Sequence, residues 1–156
     1  RTLDLGDYSE EDLRTAEAGQ AASKVAAIPD VRAALLDLQR AFANQAGGVV
    51  MDGRDIGTVV CPEADVKLWV DASVAIRATR RWKELTEQGE TLSLEEIIAQ
   101  LKERDNRDKN RADAPIIAAA DSVLIDTTDL TIDAAVDKAR AAVDTVIAQT
   151  SERAEP

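Results

Sequence analysis

The sequence predicts an α/β protein built on a parallel sheet. Three short apolar runs, at residues 49–51, 66–70 and 123–125, have the length and composition of buried strands. Longer stretches that open on helix-capping residues alternate with them, and this alternation favours parallel strands joined by helical crossovers. A length of 156 residues with 45% apolar side chains is enough for one domain with its own core.

Each element has a local reason. Ser9 followed by Glu10, Glu11 and Asp12 reads as a helix N-cap with an acidic first turn, leading an alanine-rich helix towards Ala27. Pro29 ends that helix and suits the first position of the next, which should run to about Ala43. Residues 44–48 form a turn, and Val49-Val50-Met51 follows as the first strand. After the second strand, at 66–70, Ser73 caps a helix to about Gln88, and Gly89 interrupts. Ser93-Leu94-Glu95-Glu96 has the capping-box pattern and opens a helix to about Arg111. The third strand covers 123–125. Thr131 starts the last helix, with Ile132, Ala135, Val136, Ala139, Val143 and Ile147 on one face. The domain is expected to span 1–149, followed by a polar, frayed tail at 150–156.

Composition excludes several functions. A net charge of −11 opposes nonspecific nucleic-acid binding, which needs a basic surface, and opposes docking on anionic membranes. The apolar runs are too short to span a bilayer. There is no histidine, which removes histidine acid–base chemistry and histidine metal sites. A single cysteine, Cys61, and the lack of a signal peptide fit a reducing cytoplasm. A first residue of Arg1 reads as a trimmed or cleaved chain.

Two constellations carry chemistry. Asp52-Gly53-Arg54-Asp55 stands at the carboxyl end of the first expected strand, where ligands of parallel sheets bind. Arg54 could hold an anion and Asp52 a metal or its water; a polar turn closing a strand accounts for the same residues about equally well. The second is residues 102–111, in which Lys102, Arg104, Arg107, Lys109 and Arg111 are basic within an acidic chain. On a helix Arg104, Arg107, Asp108 and Arg111 share a face. Guanidinium groups so crowded need an anion or carboxylates, and their planar fork suits phosphate. A solvated face laced by pairs such as Arg104 with Asp108 is the ordinary alternative. Arg80-Arg81 alone carries little weight.

These motifs together resemble bacterial cytidylate (CMP) kinases. The run from Val50 through Asp52-Gly53-Arg54-Asp55 to Val60 is similar to that family's strand-end motif, and the run from Glu103 to Arg111 to its second signature. Ala21-Ala22-Ser23-Lys24-Val25-Ala26-Ala27-Ile28-Pro29, then Val31-Arg32, resembles its nucleotide-binding helices. The likeness runs from about Arg14 to Ala142.

The resemblance implies a P-loop kinase fold and transfer of phosphate from ATP, with Mg2+, to CMP or dCMP. It implies that Ser23 and Arg32 contact the cytosine ring and that Asp55 accepts from its exocyclic amine. Arg54 and Arg111 would clamp the CMP phosphate. Arg104 and Asp108 would hold the ribose, and Asp52 would hold magnesium through water. Arg80, Arg81 and Arg107 would serve ATP; Arg80 and Arg81 match the family's mobile-lid arginines, and residues 81–101 would form that lid, hinged near Gly89. A monomer is expected. The nearest rivals are an adenylate or uridylate kinase and a non-catalytic nucleotide-binding protein.

The family's P-loop motif, G-x-x-x-x-G-K-[ST], does not occur in these residues. Its strand and loop would precede them, so the fold is expected without that strand, and the 156 residues alone are expected to be unstable and inactive. The strands at 49–51 and 66–70 would flank the missing strand, about 10 Å apart with no direct ladder between them. The strand at 66–70 should pair in parallel with 123–125.

Overall fold

The computed structural model describes Ser9 and residues 15–154. Along the chain lie α1 (Ala16–Val25), α2 (Pro29–Ala43), a π-helical turn (Ile56–Val60), β1 (Leu68–Asp71), α3 (Val74–Glu87), α4 (Leu94–Asn110), β2 (Val123–Asp126) and α5 (Ile132–Ala154). The acidic turn expected at residues 10–12 lies outside the described residues. The cap of α1 is Thr15, whose side chain accepts from the Ala18 amide.

β1 and β2 pair in parallel, with Leu68 opposite Val123 and Asp71 opposite Asp126, as the α/β reading requires. The crossover between them holds both α3 and α4. Ser73 caps α3 through the Ile76 amide. Ser93 and Glu96 form the reciprocal capping box of α4. Gly89 stands at φ +87°. The amide of Gly89 donates to Thr86 O and that of Glu90 to Leu85 O. This is the Schellman closure of a helix, in which a left-handed glycine satisfies the last carbonyls. α3 and α4 therefore form a tight hairpin whose core is Ala78, Leu85 and Ile97. The hairpin turn reaches α1, because Glu90 Oε1 accepts from the Ala16 amide at 3.0 Å and so places a carboxylate at a helix N-terminus.

Arg77 ties this hairpin to the sheet. Its guanidinium grips Asp105 at 3.1 and 2.7 Å, and its Nε donates to Ala72 O just past β1. The hydrogen bond from Arg77 holds the Asp105 carboxyl below its ordinary pKa. A depressed carboxyl stabilises the fold above its unfolded pKa, and that contribution is lost as pH falls through the folded value. Asp105→Asn should thus lower stability at pH 7 by about 1 kcal/mol, a small value because the pair is partly exposed and screened. In urea titrations the gap from the parent protein should close as pH falls below about 4. A gap independent of pH would refute the linkage.

Four features differ from the expectation. The strand at 49–51 is not formed: no bridge partner is assigned there, and Val50 is 98% exposed. A strand exists only through pairing, and among the described residues none pairs with these. A cavity of about 180 Å³ lies between the segment of Met51 to Thr58 and the residues of β1, and the described sheet contains β1 and β2 alone. The π-helical turn was not foreseen; its wide bonds run from Val60 N to Asp55 O and from Cys61 N to Ile56 O. Arg111 ends α4 in extended conformation instead of continuing its face. α5 also runs to Ala154, into the stretch expected as a tail. Among the described residues no helix is long and apolar enough to cross a membrane.

Candidate functional site

The site begins at Asp55, the residue before the π-helical turn. The Asp55 carbonyl accepts from the amides of Thr58, Val59 and Val60, which fixes the backbone from which its side chain projects. π-helical turns of this kind are frequent at functional sites. Gly53 matters for space rather than for φ. A Cβ there would lie 2.8 Å from Ile56 Cγ1 and 2.9 Å from its Cδ1.

The buried Asp55 carboxylate is held by two arginines from distant elements. Arg32 of α2 donates directly to Oδ2. Arg111, whose side chain is only 7% exposed, brings Nη2 to 3.7 Å from Oδ1, and its Nε donates to Ala114 O. Asp108 of α4 is the second buried carboxylate. Arg54 Nε donates to its Oδ2 at 3.2 Å, and Arg104 Nε stands 3.9 Å from the same oxygen.

Four guanidinium groups thus surround two carboxylates, an excess of two positive charges. Arg104 Nε and Arg111 Nη2 are buried without a hydrogen-bond acceptor. Burial, followed by repulsion from Arg54, pulls the Arg104 pKa below its ordinary value. Burial, followed by repulsion from Arg32, does the same to Arg111. A buried donor without an acceptor is costly, and a bound anion of high charge is a ligand that would supply acceptors and offset the excess of positive charge. Arginine forks match phosphate oxygens two at a time.

Asp52 is exposed and lines a cavity of about 570 Å³ with Thr15, Gln20, Arg81, Gln100 and Arg104 of the cluster, and it also borders the cavity lined by Arg54 and Asp55. Arg81 also pairs with Glu84 at 2.8 Å. Arg80 is elsewhere. It donates to Thr127 Oγ1 at 3.0 Å and to Thr127 O at 2.7 Å, and Thr127 in turn donates to Asp71 O. Arg80 therefore sits at the carboxyl ends of both strands. Arg107 donates to Ser23 of α1 at 2.8 Å.

A family model for cytidylate kinase matches residues 3–145. The chain belongs to the cytidylate kinase family. It is 61% identical over 142 residues to a cytidylate kinase of Cereibacter sphaeroides, which covers 91% of this chain and 69% of that protein. It is 51% identical over 144 residues to a cytidylate kinase of Caulobacter vibrioides, covering 92% of this chain and 68% of the relative. Membership in the cytidylate kinase family makes the chain part of a phosphotransferase and accounts for the arginine excess, since phosphoryl transfer relies on alignment and positive charge more than on covalent help. The cytidylate kinase motif at 52–55 and the one at 103–111, far apart in sequence, meet through the Arg54–Asp108 and Arg111–Asp55 contacts.

Sequence reasoning had no signal for Arg77. Its role comes from contacts with Asp105 and Ala72, and an isolated arginine on an amphipathic helix carries no motif.

Proposed function

We propose that this chain supplies the CMP-binding half of a cytidylate kinase site that transfers the terminal phosphate of ATP to CMP or dCMP. The carrying observation is the pair of buried guanidinium atoms without acceptors, on Arg104 and Arg111, beside a net arginine excess. Arg54 and Arg111 would hold the CMP phosphate, and Arg104 with Asp108 the sugar hydroxyls. Arg32, Ser23 and Asp55 would read the base. A carboxylate accepts from the cytosine amine and would face a carbonyl oxygen on uracil. Asp55 keeps acceptor capacity beside its two arginines, because a carboxylate offers about four lone-pair sites.

Among the described residues no group of three or more metal-ligating side chains forms a metal site. Mg2+ is usually held by one or two carboxylates together with substrate phosphates and waters. Asp52 would hold the ion through water, and when bound the ion offsets charge on the phosphates. Arg81, on the hairpin of α3 and α4, would approach ATP as residues 81–101 close over it, with Arg80 bracing the hairpin at Thr127. The enzyme would act as a cytoplasmic monomer.

Calorimetric titration of the full-length protein with CMP, UMP and AMP tests the reading. CMP should bind at least tenfold more tightly than either rival. Equal affinity for AMP would favour an adenylate-type kinase. Binding of CMP by the full-length protein without turnover of ATP would favour a non-catalytic binding protein.

A further inference from the structure

Ser23 is 7% exposed and lies inside α1. A serine within a helix ordinarily turns its hydroxyl back to the carbonyl one turn earlier. Here Ser23 Oγ accepts from Arg107 Nη1 at 2.8 Å, and among the described residues no acceptor takes its hydrogen. The other arm of the Arg107 fork is held by Glu103 at 2.5 Å. Arg107 is thus anchored on its own helix and reaches across to α1.

The chemistry of the two groups gives this contact a direction. A guanidinium only donates, whereas a hydroxyl carries one hydrogen and two lone pairs. With one lone pair taken by Arg107, the hydrogen of Ser23 remains for a ligand. We propose that Arg107 is a positioning residue for base choice: it holds Ser23 as a donor towards the base. A donor suits cytosine, whose ring nitrogen N3 and adjacent carbonyl both accept. At N3 it opposes uracil, whose N3 carries hydrogen, whereas the adjacent carbonyl accepts in both bases and does not discriminate. The remaining lone pair of Ser23 limits the bias, so the expected effect is that of one ordinary hydrogen bond. The inference rests on the proposed reading of Ser23 as a base contact.

Steady-state kinetics of the full-length enzyme with CMP and UMP test it in a double-mutant cycle of Arg107→Met and Ser23→Ala. Arg107→Met should lower the CMP/UMP ratio of kcat/KM by about three- to tenfold, mainly through KM for CMP. The same substitution in the Ser23→Ala background should leave the ratio unchanged. A structural tether between α1 and α4 would instead weaken both nucleotides equally, and that result overturns the proposal. So does an effect of Arg107→Met that persists without the Ser23 hydroxyl. If Ser23→Ala itself leaves the ratio unchanged, the base-site reading of Ser23 fails and the inference falls with it. If Ser23→Ala changes the ratio and Arg107→Met does not, only the role of Arg107 is refuted. Arg107→Lys is the second variant should the methionine form not fold. It keeps a charge opposite Glu103 but loses the two-armed fork, and the ratio should fall there too; an unchanged ratio overturns the proposal.

Discussion

Arg111→Met in the full-length protein is expected to lower kcat/KM for CMP by about 10²–10³-fold, the scale seen when one electrostatic contact to a transition state is removed. Unfolding stability should change by no more than about 1 kcal/mol. The two expectations have one origin. Arg111 is buried, its Nη2 has no acceptor, and it stands 3.7 Å from a carboxylate that Arg32 already holds. Asp55 keeps its pair with Arg32 when Arg111 is replaced, so the substitution leaves no buried carboxylate without a partner, even though the Ala114 contact is lost. An ordinary structural arginine would behave in the opposite way, costing stability and little activity. Kinetics with CMP and chemical denaturation of the same preparation separate the cases. A loss of activity under tenfold would refute a role at the phosphate.

The second large effect is expected from Asp55→Asn, and it should appear in both measurements. Arg32 and Arg111 would lose their shared carboxylate, and breaking a buried pair from one side costs about 3 kcal/mol or more. An amide can turn either a donor or an acceptor towards the ring, so the CMP/UMP ratio of kcat/KM should fall by about ten- to a hundredfold, the worth of a good polar base contact. Competition between CMP and UMP reads the ratio even if the variant is less stable. A destabilised enzyme with an unchanged ratio would leave Asp55 a structural residue and remove it from base reading.

These predictions join a site that was partly legible in the chain. Arg54, Asp55, Arg104, Asp108 and Arg111 stood out because charged residues concentrate in two short runs. Their pairing did not. Arg104 with Asp108 was the expected local contact, yet Arg54 makes the shorter approach to Asp108, at 3.2 Å against 3.9 Å. Arg80 and Arg81 are adjacent in sequence but point to different partners, Thr127 and Glu84. Consecutive helical positions are rotated about 100° from one another, so a shared motif does not mean a shared neighbour.

The helices were readable because their causes are local. The proline that opens α2, the serines that cap α3 and α4, and the glycine that closes α3 each act within one turn. The parallel pairing of β1 with β2 followed from two apolar runs separated by helical sequence. Three outcomes depended on partners distant in the chain. Residues 49–51 stay unpaired because a strand needs a neighbour as well as a composition. Arg111 leaves the α4 face at the helix end and reaches Asp55. Arg107 of α4 reaches Ser23 of α1, and the start of α1 meets the hairpin through Glu90 and through Ala16 packed against the core of Leu85 and Ile97. Capping and periodicity are short-range interactions encoded in neighbouring residues, whereas the facing of one buried charge by another is set by how the elements pack.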